Sequence, residues 1–238
     1  MKITNHDETL STEFEQFVPT FEVGREECYI RTCYYALKSL LWMWRSPMFP
    51  DSVRTLPRIF YGMVHSFKSS GIATGLTSDL NGDPSKMTDD HKNSPQTVGE
   101  YVLDRANLCL NDYEIFKKIF LFSCETNRIY KAENTALKEL KHLVPTIYKY
   151  QEVGKPEYPT GWDDPIELYD PNTKEKVTNL IGPSTFIFDG FWEDFCEWEV
   201  DMVLDESSKW GKPLPEHIKC SQKKRATNNL QLFFDEIS

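Results

Sequence analysis

The chain has 238 residues, of which 39% are hydrophobic and 13% aromatic, so that a sizeable core can form. Its net charge of −10 excludes a global electropositive field. Direct binding of nucleic acid is therefore not expected, although a local basic patch is compatible with the composition.

The six cysteines include no Cys-x-x-Cys pair, which excludes zinc-ribbon and thioredoxin-type motifs. The first residues are polar and acidic, unlike a secretory signal or a transit peptide. We therefore expect a protein of the nucleus or cytoplasm that has no contact with membranes.

The stretch Glu27–Arg45 is predicted to form a long central helix. Its apolar residues recur at intervals of three and four, which places on one face Ile30, Cys33, Leu37, Leu40, Leu41 and Trp44. Further aromatic residues widen the apolar surface, so that other elements are expected to cover the helix on most sides. Pro47 is expected to end it, because proline has no amide proton and disfavours helix in the preceding residue.

After the central helix come a short apolar run, a long polar stretch and a return to helical spacing. Arg58–Phe67 has an apolar run that is too short to distinguish a helix from a strand. Residues 68–97 are rich in Ser, Thr, Gly, Asp and Asn, which predicts a long mobile loop or insertion. Val98–Asn111 returns to helical spacing.

Residues 112–132 are predicted to form a β-hairpin, with the polar turn Glu125–Asn127 between apolar runs; one continuous helix is the alternative. Asn134–Val144 is predicted to be a helix that ends before Pro145. A second hairpin is expected over Ile166–Val177, around the turn that begins at Asp170.

The last predicted elements are a short strand, Thr185–Phe188, and the segment Phe191–Leu204, whose pattern fits a helix or a strand. The fold class predicted from these elements is α+β, with a long central buried helix packed against a mainly antiparallel sheet; a mostly α protein is the alternative. Residues 1–218 are expected to form a single globular domain, followed by a tail over residues 219–238.

The central helix and its exit, YIRTCYYALKSLLWMWRSPMFPDSV, resemble the first long helix of HORMA-domain proteins. The resemblance is carried by Trp44, Arg45, Phe49, Pro50 and Asp51. The block Glu100–Ala132 is similar to the family's second helix and hairpin. The resemblance implies a non-catalytic adaptor of chromosome or DNA-repair complexes, in which residues 166–218 clasp a partner's peptide by β-strand addition.

The C-terminal tail resembles a sliding-clamp-binding box. The residues that carry this resemblance are Thr227, which stands where Gln is usual, Leu230, Phe233 and Phe234, with Lys223, Lys224 and Arg225 just upstream. One helical turn would join the three apolar side chains into a plug, and the basic residues would meet an acidic rim. The alternative is that these side chains dock on the protein's own core.

No catalytic residue, metal ligand or cofactor is predicted. The five histidines are scattered, and Asp89-Asp90-His91 lies in the predicted loop, where solvent is expected to surround it. A dense acidic group is expected to be a solvated face or a patch for a basic partner, with paired-carboxylate chemistry as the alternative: Glu193, Asp194, Glu197, Glu199 and Asp201.

The predicted function is therefore an adaptor without enzymatic activity that captures peptides of protein partners, a sliding clamp among them, in DNA replication, repair or chromosome organisation. Two alternatives stay open. One is a structural or regulatory protein, which could be viral, and whose acidic surface binds a basic partner. The other is an enzyme that uses the carboxylates of residues 193–201.

Overall fold

A computed structural model describes residues 24–67, 72–140, 143–156, 158, 160–177 and 182–210. Its α-helices are α1 (Arg25–Leu40), α2 (Ser52–Ser66), α3 (Pro95–Asp104), α4 (Ala106–Cys109), α5 (Tyr113–Ser123), α6 (Lys131–Glu139), α7 (Lys149–Glu152) and α8 (Phe191–Trp210). Its strands are β1 (Ile72–Thr77), β2 (Met87–His91), β3 (Glu125–Tyr130), β4 (Leu168–Tyr169) and β5 (Lys176–Val177). The predicted α+β class is confirmed. Within the described ranges, no helix has the length and apolar character needed to cross a bilayer.

The five strands form one mixed sheet in the order β2-β3-β1-β4-β5. Strand β1 runs parallel to β3, and the other three pairings are antiparallel. The prediction of a loop over residues 68–97 is wrong for β1 and β2. Strand β2, with the sequence MTDDH, buries only Met87, so it lacks the alternating apolar pattern by which a strand is recognised. Its structure comes from pairing with β3.

Helix α1 is shorter and less covered than predicted. It ends at Leu40, a 3-10 turn follows, and Arg45 adopts a positive φ of 53°. One face is buried, but Tyr35 and Trp42 are exposed to 47% and 65%. The neighbours of α1 include α2 and α5, and its buried side chains lie in a core cluster made mainly of helices. The expectation that other elements cover it on most sides is wrong.

Residues 112–132 form a helix followed by a strand, so both predictions for this stretch are wrong. The Asp112 carboxylate caps α5 by accepting hydrogen bonds from the Glu114 and Ile115 amides. The polar residues predicted as a turn, Glu125–Asn127, are buried in β3 between two other strands. The predicted hairpin of the second HORMA-like block is therefore not formed.

Of the predictions for the later elements, some are confirmed and others are wrong. The hairpin of β4 and β5 is confirmed, with Lys174 at a positive φ of 64° in its turn. The predicted strand Thr185–Phe188 is wrong, because this segment has no strand structure. Residues 98–111 divide into α3 and α4 at Arg105, and α6 ends at Glu139, five residues before the predicted end at Val144. Phe191–Leu204 lies within the long helix α8.

Two clusters of apolar side chains make up most of the interior. One is helical and rich in aromatic rings, and it includes Phe60, Phe116 and Phe195. The other lies between β3, α6 and the segment after it, and it includes Ile129 and Leu137. Side chains from both clusters line a single cavity.

Candidate functional site

A cavity of about 840 Å³ lies between helices α2, α3, α6 and α8 and the outer strand β2. Its polar wall includes Arg58, Tyr61, His65, Asp89, Asp90, His91, Ser94, Gln96, Thr97, Glu100, Asn134, Lys138, Thr146, Lys149 and Glu199. Its apolar wall includes Leu137, Leu140, Val144, Trp198, Met202 and Val203. An apolar cavity with a few convergent polar groups is the arrangement typical of a ligand site.

His91, the last residue of β2, has the geometry of a general base. Its Nδ1 lies 3.0 Å from the Ser123 carbonyl oxygen, which can only accept a hydrogen bond. Nδ1 therefore carries the proton, and Nε2 keeps its lone pair. Burial lowers the pKa of His91 below its usual value, with a smaller contribution from the Lys149 ammonium. The imidazole is thus neutral at pH 7 and able to accept a proton.

Asp90 is oriented by a chain of buried hydrogen bonds. The Tyr150 hydroxyl donates to Asp90 Oδ2 at 2.6 Å, and Asn127 Nδ2 donates to the Tyr150 oxygen at 3.0 Å. Burial raises the pKa of Tyr150 well above its usual value, so its hydroxyl stays protonated and acts as the donor. Thr74 Oγ1 lies 2.6 Å from Asn127 Oδ1 and completes the chain. A carboxylate held in this way keeps one orientation.

Lys149 places a positive charge beside the same carboxylate. Its Nζ lies 2.6 Å from Asp90 Oδ2 and 2.7 Å from the carbonyl oxygen of His91. Both Lys149 and Asp90 are largely buried, at 13% and 14% side-chain exposure. The Asp90 carboxylate is therefore already paired with a cation inside the protein, and a metal ion there would share it with Lys149.

Asn134 enters the cavity from the first turn of α6. The adjacent Glu133 faces inward, where its Oε2 accepts hydrogen bonds from the Tyr130 amide at 2.7 Å and from Ser78 Oγ at 2.6 Å. These bonds fix the start of α6 against β3, and with it the position of Asn134 on the cavity wall. Asn134 thus lines the same cavity as Asp90.

Oxygen ligands of this kind suit Mg²⁺, which usually takes one or two carboxylates and completes its shell with water and substrate phosphates. Among the residues that the structure describes, no group of three or more His, Cys, Asp and Glu side chains could hold a metal ion. A cation at Asp90 and Asn134 would therefore depend on water and on the substrate for most of its ligands.

The rim of the cavity is suited to an anion. Arg58 and Lys138 lie on it and are exposed. The first turn of α3, with Ser94 as its N-cap residue, also faces the cavity and carries the positive end of the helix dipole. These groups lie on different elements and offer contacts for an anion, while the same wall also carries Asp89, Asp90, Glu100 and Glu199.

The predicted acidic patch on α8 is wrong as a group of five. Glu193, Glu197 and Asp201 are exposed at four-residue intervals on one face. Asp194 instead accepts from Tyr101 at 2.8 Å and pairs with Arg105 at 3.1 Å, and Glu199 is buried, where its carboxylate accepts from the amide and hydroxyl of Thr146. Glu199 alone of the five lines the cavity, so the arrangement does not supply the carboxylate pair that the enzyme alternative requires.

The sequence does not mark Asp90 and His91 as a site, because the polar segment around them predicts a loop. The local indication was an acidic pair directly before a histidine and just before a helix start at Ser94-Pro95, which is too short a pattern to define a site. The predicted clamp-binding residues, from Lys223 to Phe234, lie outside the described residues. Comparisons with known proteins find no matching family model and no significantly similar curated protein or solved structure.

Proposed function

We propose that this protein is a hydrolase that cleaves phosphodiester bonds, with His91 as the general base and a divalent cation held at Asp90 and Asn134. The observation that carries the proposal is that His91, with its tautomer set by a carbonyl oxygen and its pKa lowered by burial, lines the same cavity as the oriented Asp90 carboxylate and the exposed Arg58 and Lys138. A perturbed titratable group in a cleft is a recognised mark of a catalytic site.

The chemistry needs few groups. A water molecule in the cavity gives a proton to His91 Nε2 and attacks phosphorus; the bond from phosphorus to the leaving oxygen breaks, and that oxygen takes a proton from solvent. A cation held by Asp90 and Asn134 would stabilise, together with Lys149, the charge that develops on the phosphoryl oxygens. General-base catalysis by one positioned histidine typically contributes about 10²- to 10⁴-fold in rate.

A nucleic acid is the phosphodiester that fits this cavity. The rim groups Arg58 and Lys138 are spread around the opening, which suits a polyanion better than a small phosphate ester. The whole chain has a net charge of −10. Favourable contacts with a strand would therefore come from Arg58 and Lys138 on the rim, because the cavity wall also carries the carboxylates of Asp89, Asp90, Glu100 and Glu199.

The test is cleavage of short fluorescent DNA and RNA strands by the purified chain with Mg²⁺ or Mn²⁺. We expect His91→Ala to lower the rate about 10²- to 10⁴-fold. Asn172→Ala, in the exposed turn between β4 and β5, is the matched control and should leave the rate unchanged. Circular dichroism checks that each variant is folded.

Four outcomes decide the proposal. The hydrolase proposal would be contradicted if the wild-type protein cleaved none of the strands with either metal ion. It would also be contradicted if His91→Ala kept the wild-type rate. Cleavage that persists in EDTA would remove the cation at Asp90 and Asn134 but leave the role of His91. Cleavage that needs the metal ion and is lost with Asp90→Asn supports the complete site.

Peptide capture by an adaptor is the second proposal. A specific observation favours it: β2 is an outer strand of the described sheet, and the cavity beside it has an apolar wall that includes Leu140 and Met202. An extended peptide could pair with such an edge and place side chains in the cavity. The HORMA resemblance and the tail motif support the same proposal, and it predicts protein partners and no turnover.

A further inference from the structure

Helix α2 has an exposed face of unusual composition. Arg54, Arg58, Tyr61 and His65 follow one another at steps of four, three and four residues, which places them in one stripe along the helix. All four are exposed. Helix α2 contains no Asp or Glu, although the chain as a whole has 37 acidic against 27 basic residues.

The stripe leads into the cavity. Arg58, Tyr61 and His65 all belong to the cavity wall, whereas Arg54 lies one turn further out toward the start of the helix. A chain-like polyanion that reaches the site along α2 would therefore meet two guanidinium groups in succession. A guanidinium can form two parallel hydrogen bonds with a phosphate group.

The two rings in the stripe form an open stacking surface. The Tyr61 and His65 rings are stacked, with their centroids 5.6 Å apart and their planes at 8°. Tyr61 remains 43% exposed. An exposed aromatic ring on the same helix face as arginines is an arrangement by which proteins bind single strands, since each base can stack on the ring and each phosphate can meet a cation.

We infer that the α2 stripe binds an unpaired strand, with one base stacked on Tyr61 and the adjoining phosphates held by Arg58 and Arg54. A base inside a duplex has both faces covered by its neighbours, so it can reach Tyr61 only after it has been unstacked. The protein therefore prefers single strands to duplexes. This inference rests on the proposed function for the role of the strand as substrate, but the binding itself is measured without cleavage.

The experiment is fluorescence anisotropy with a labelled 12-nucleotide strand and with its duplex, in EDTA and low salt, using the full chain. We expect the single strand to bind at least 10-fold more tightly than the duplex. Tyr61→Ala should weaken strand binding about 5- to 150-fold, whereas Tyr61→Phe should retain it. Arg54→Ala should reduce the magnitude of the slope of log affinity against log salt concentration by about 1, since one phosphate contact is lost.

The matched control is Tyr35→Ala, which removes a similarly exposed tyrosine from α1. Equal affinity for strand and duplex, or wild-type binding by Tyr61→Ala, would overturn the inference even if the enzyme cleaves nucleic acid through His91. If strand binding depends on Tyr61 but the protein cleaves nothing, the result would support strand binding by the α2 stripe and contradict the hydrolase proposal.

Discussion

His91 acquires its chemistry from its surroundings. Burial lowers the pKa of the imidazole, the Asp90 carboxylate raises it in part, and the Ser123 carbonyl sets which ring nitrogen carries the proton. None of these influences is a property of the residue type, since an exposed histidine has a pKa near 6.5 and exchanges between tautomers.

The direction of this shift predicts a pH dependence. A base with a lowered pKa keeps its lone pair to lower pH than a free histidine does, so the acid limb of kcat/KM on the strand substrate should be centred below pH 6.5. The contribution of His91 to the free energy of unfolding depends on pH in the same direction. It is fully present above pH 6.5 and is lost as the pH falls through the folded-state pKa.

The measurement is kcat/KM between pH 4.5 and 8 in buffers of constant ionic strength. An acid limb centred at or above 6.5 would contradict the assignment of His91 as the buried base. The same profile for Asn172→Ala serves as the control, because that exposed turn residue contacts nothing in the cavity.

At the scale of elements, a buried ion pair joins Lys92, directly after β2, to Glu125, the first residue of β3. Lys92 Nζ and Glu125 Oε2 lie 3.2 Å apart, and both side chains are only 4% exposed. The Lys92 ammonium also donates to the Gly182 carbonyl oxygen, and the Ser184 amide donates to Glu125 Oε1 at 2.8 Å. The pair thereby fixes the segment that leads into α8.

Removing one partner of this pair should be costly. Lys92→Met leaves the Glu125 carboxylate buried without its cation, and we expect a loss of about 3–5 kcal/mol in the free energy of unfolding. The double variant Lys92→Met/Glu125→Gln removes both charges and should recover part of that loss.

Urea denaturation of the wild type, Lys92→Met, Glu125→Gln and the double variant completes the double-mutant cycle. A double variant that is less stable than Lys92→Met alone would show that the pair does not act as a unit. A single variant within 0.5 kcal/mol of wild type, about the level of an ordinary surface substitution, would show that the pair contributes little.

At the scale of the whole molecule, binding of the C-terminal tail to a sliding clamp is a prediction that can be tested separately. If residues 219–238 form a clamp-binding segment, a peptide of this range should bind a sliding clamp with a Kd of roughly micromolar or weaker, because the gain from three apolar side chains is partly lost in ordering the tail. Fluorescence polarisation measures it, with Phe233→Ala/Phe234→Ala as the control peptide. No saturation at a few hundred micromolar would remove the clamp from the adaptor proposal.

Some parts of the fold follow from local sequence. The buried face of α1 was predicted from the spacing of Ile30, Cys33 and Leu37, and the β4–β5 hairpin from the turn at Asp170. Helical periodicity and turn chemistry each depend on residues within a few positions of one another, so a single sequence contains them.

The sequence by itself thus determined the α+β class, the core face of α1 and the second hairpin. Only the tertiary structure decided that polar residues 87–91 form a strand, because their partner β3 lies more than thirty residues later and hydrogen bonding to it replaces the missing apolar pattern. It also decided the candidate site, since the cavity joins side chains from α2 to α8. Burial, tautomer and charge pairing arise only when such distant segments meet, so they are not properties of any one stretch of sequence.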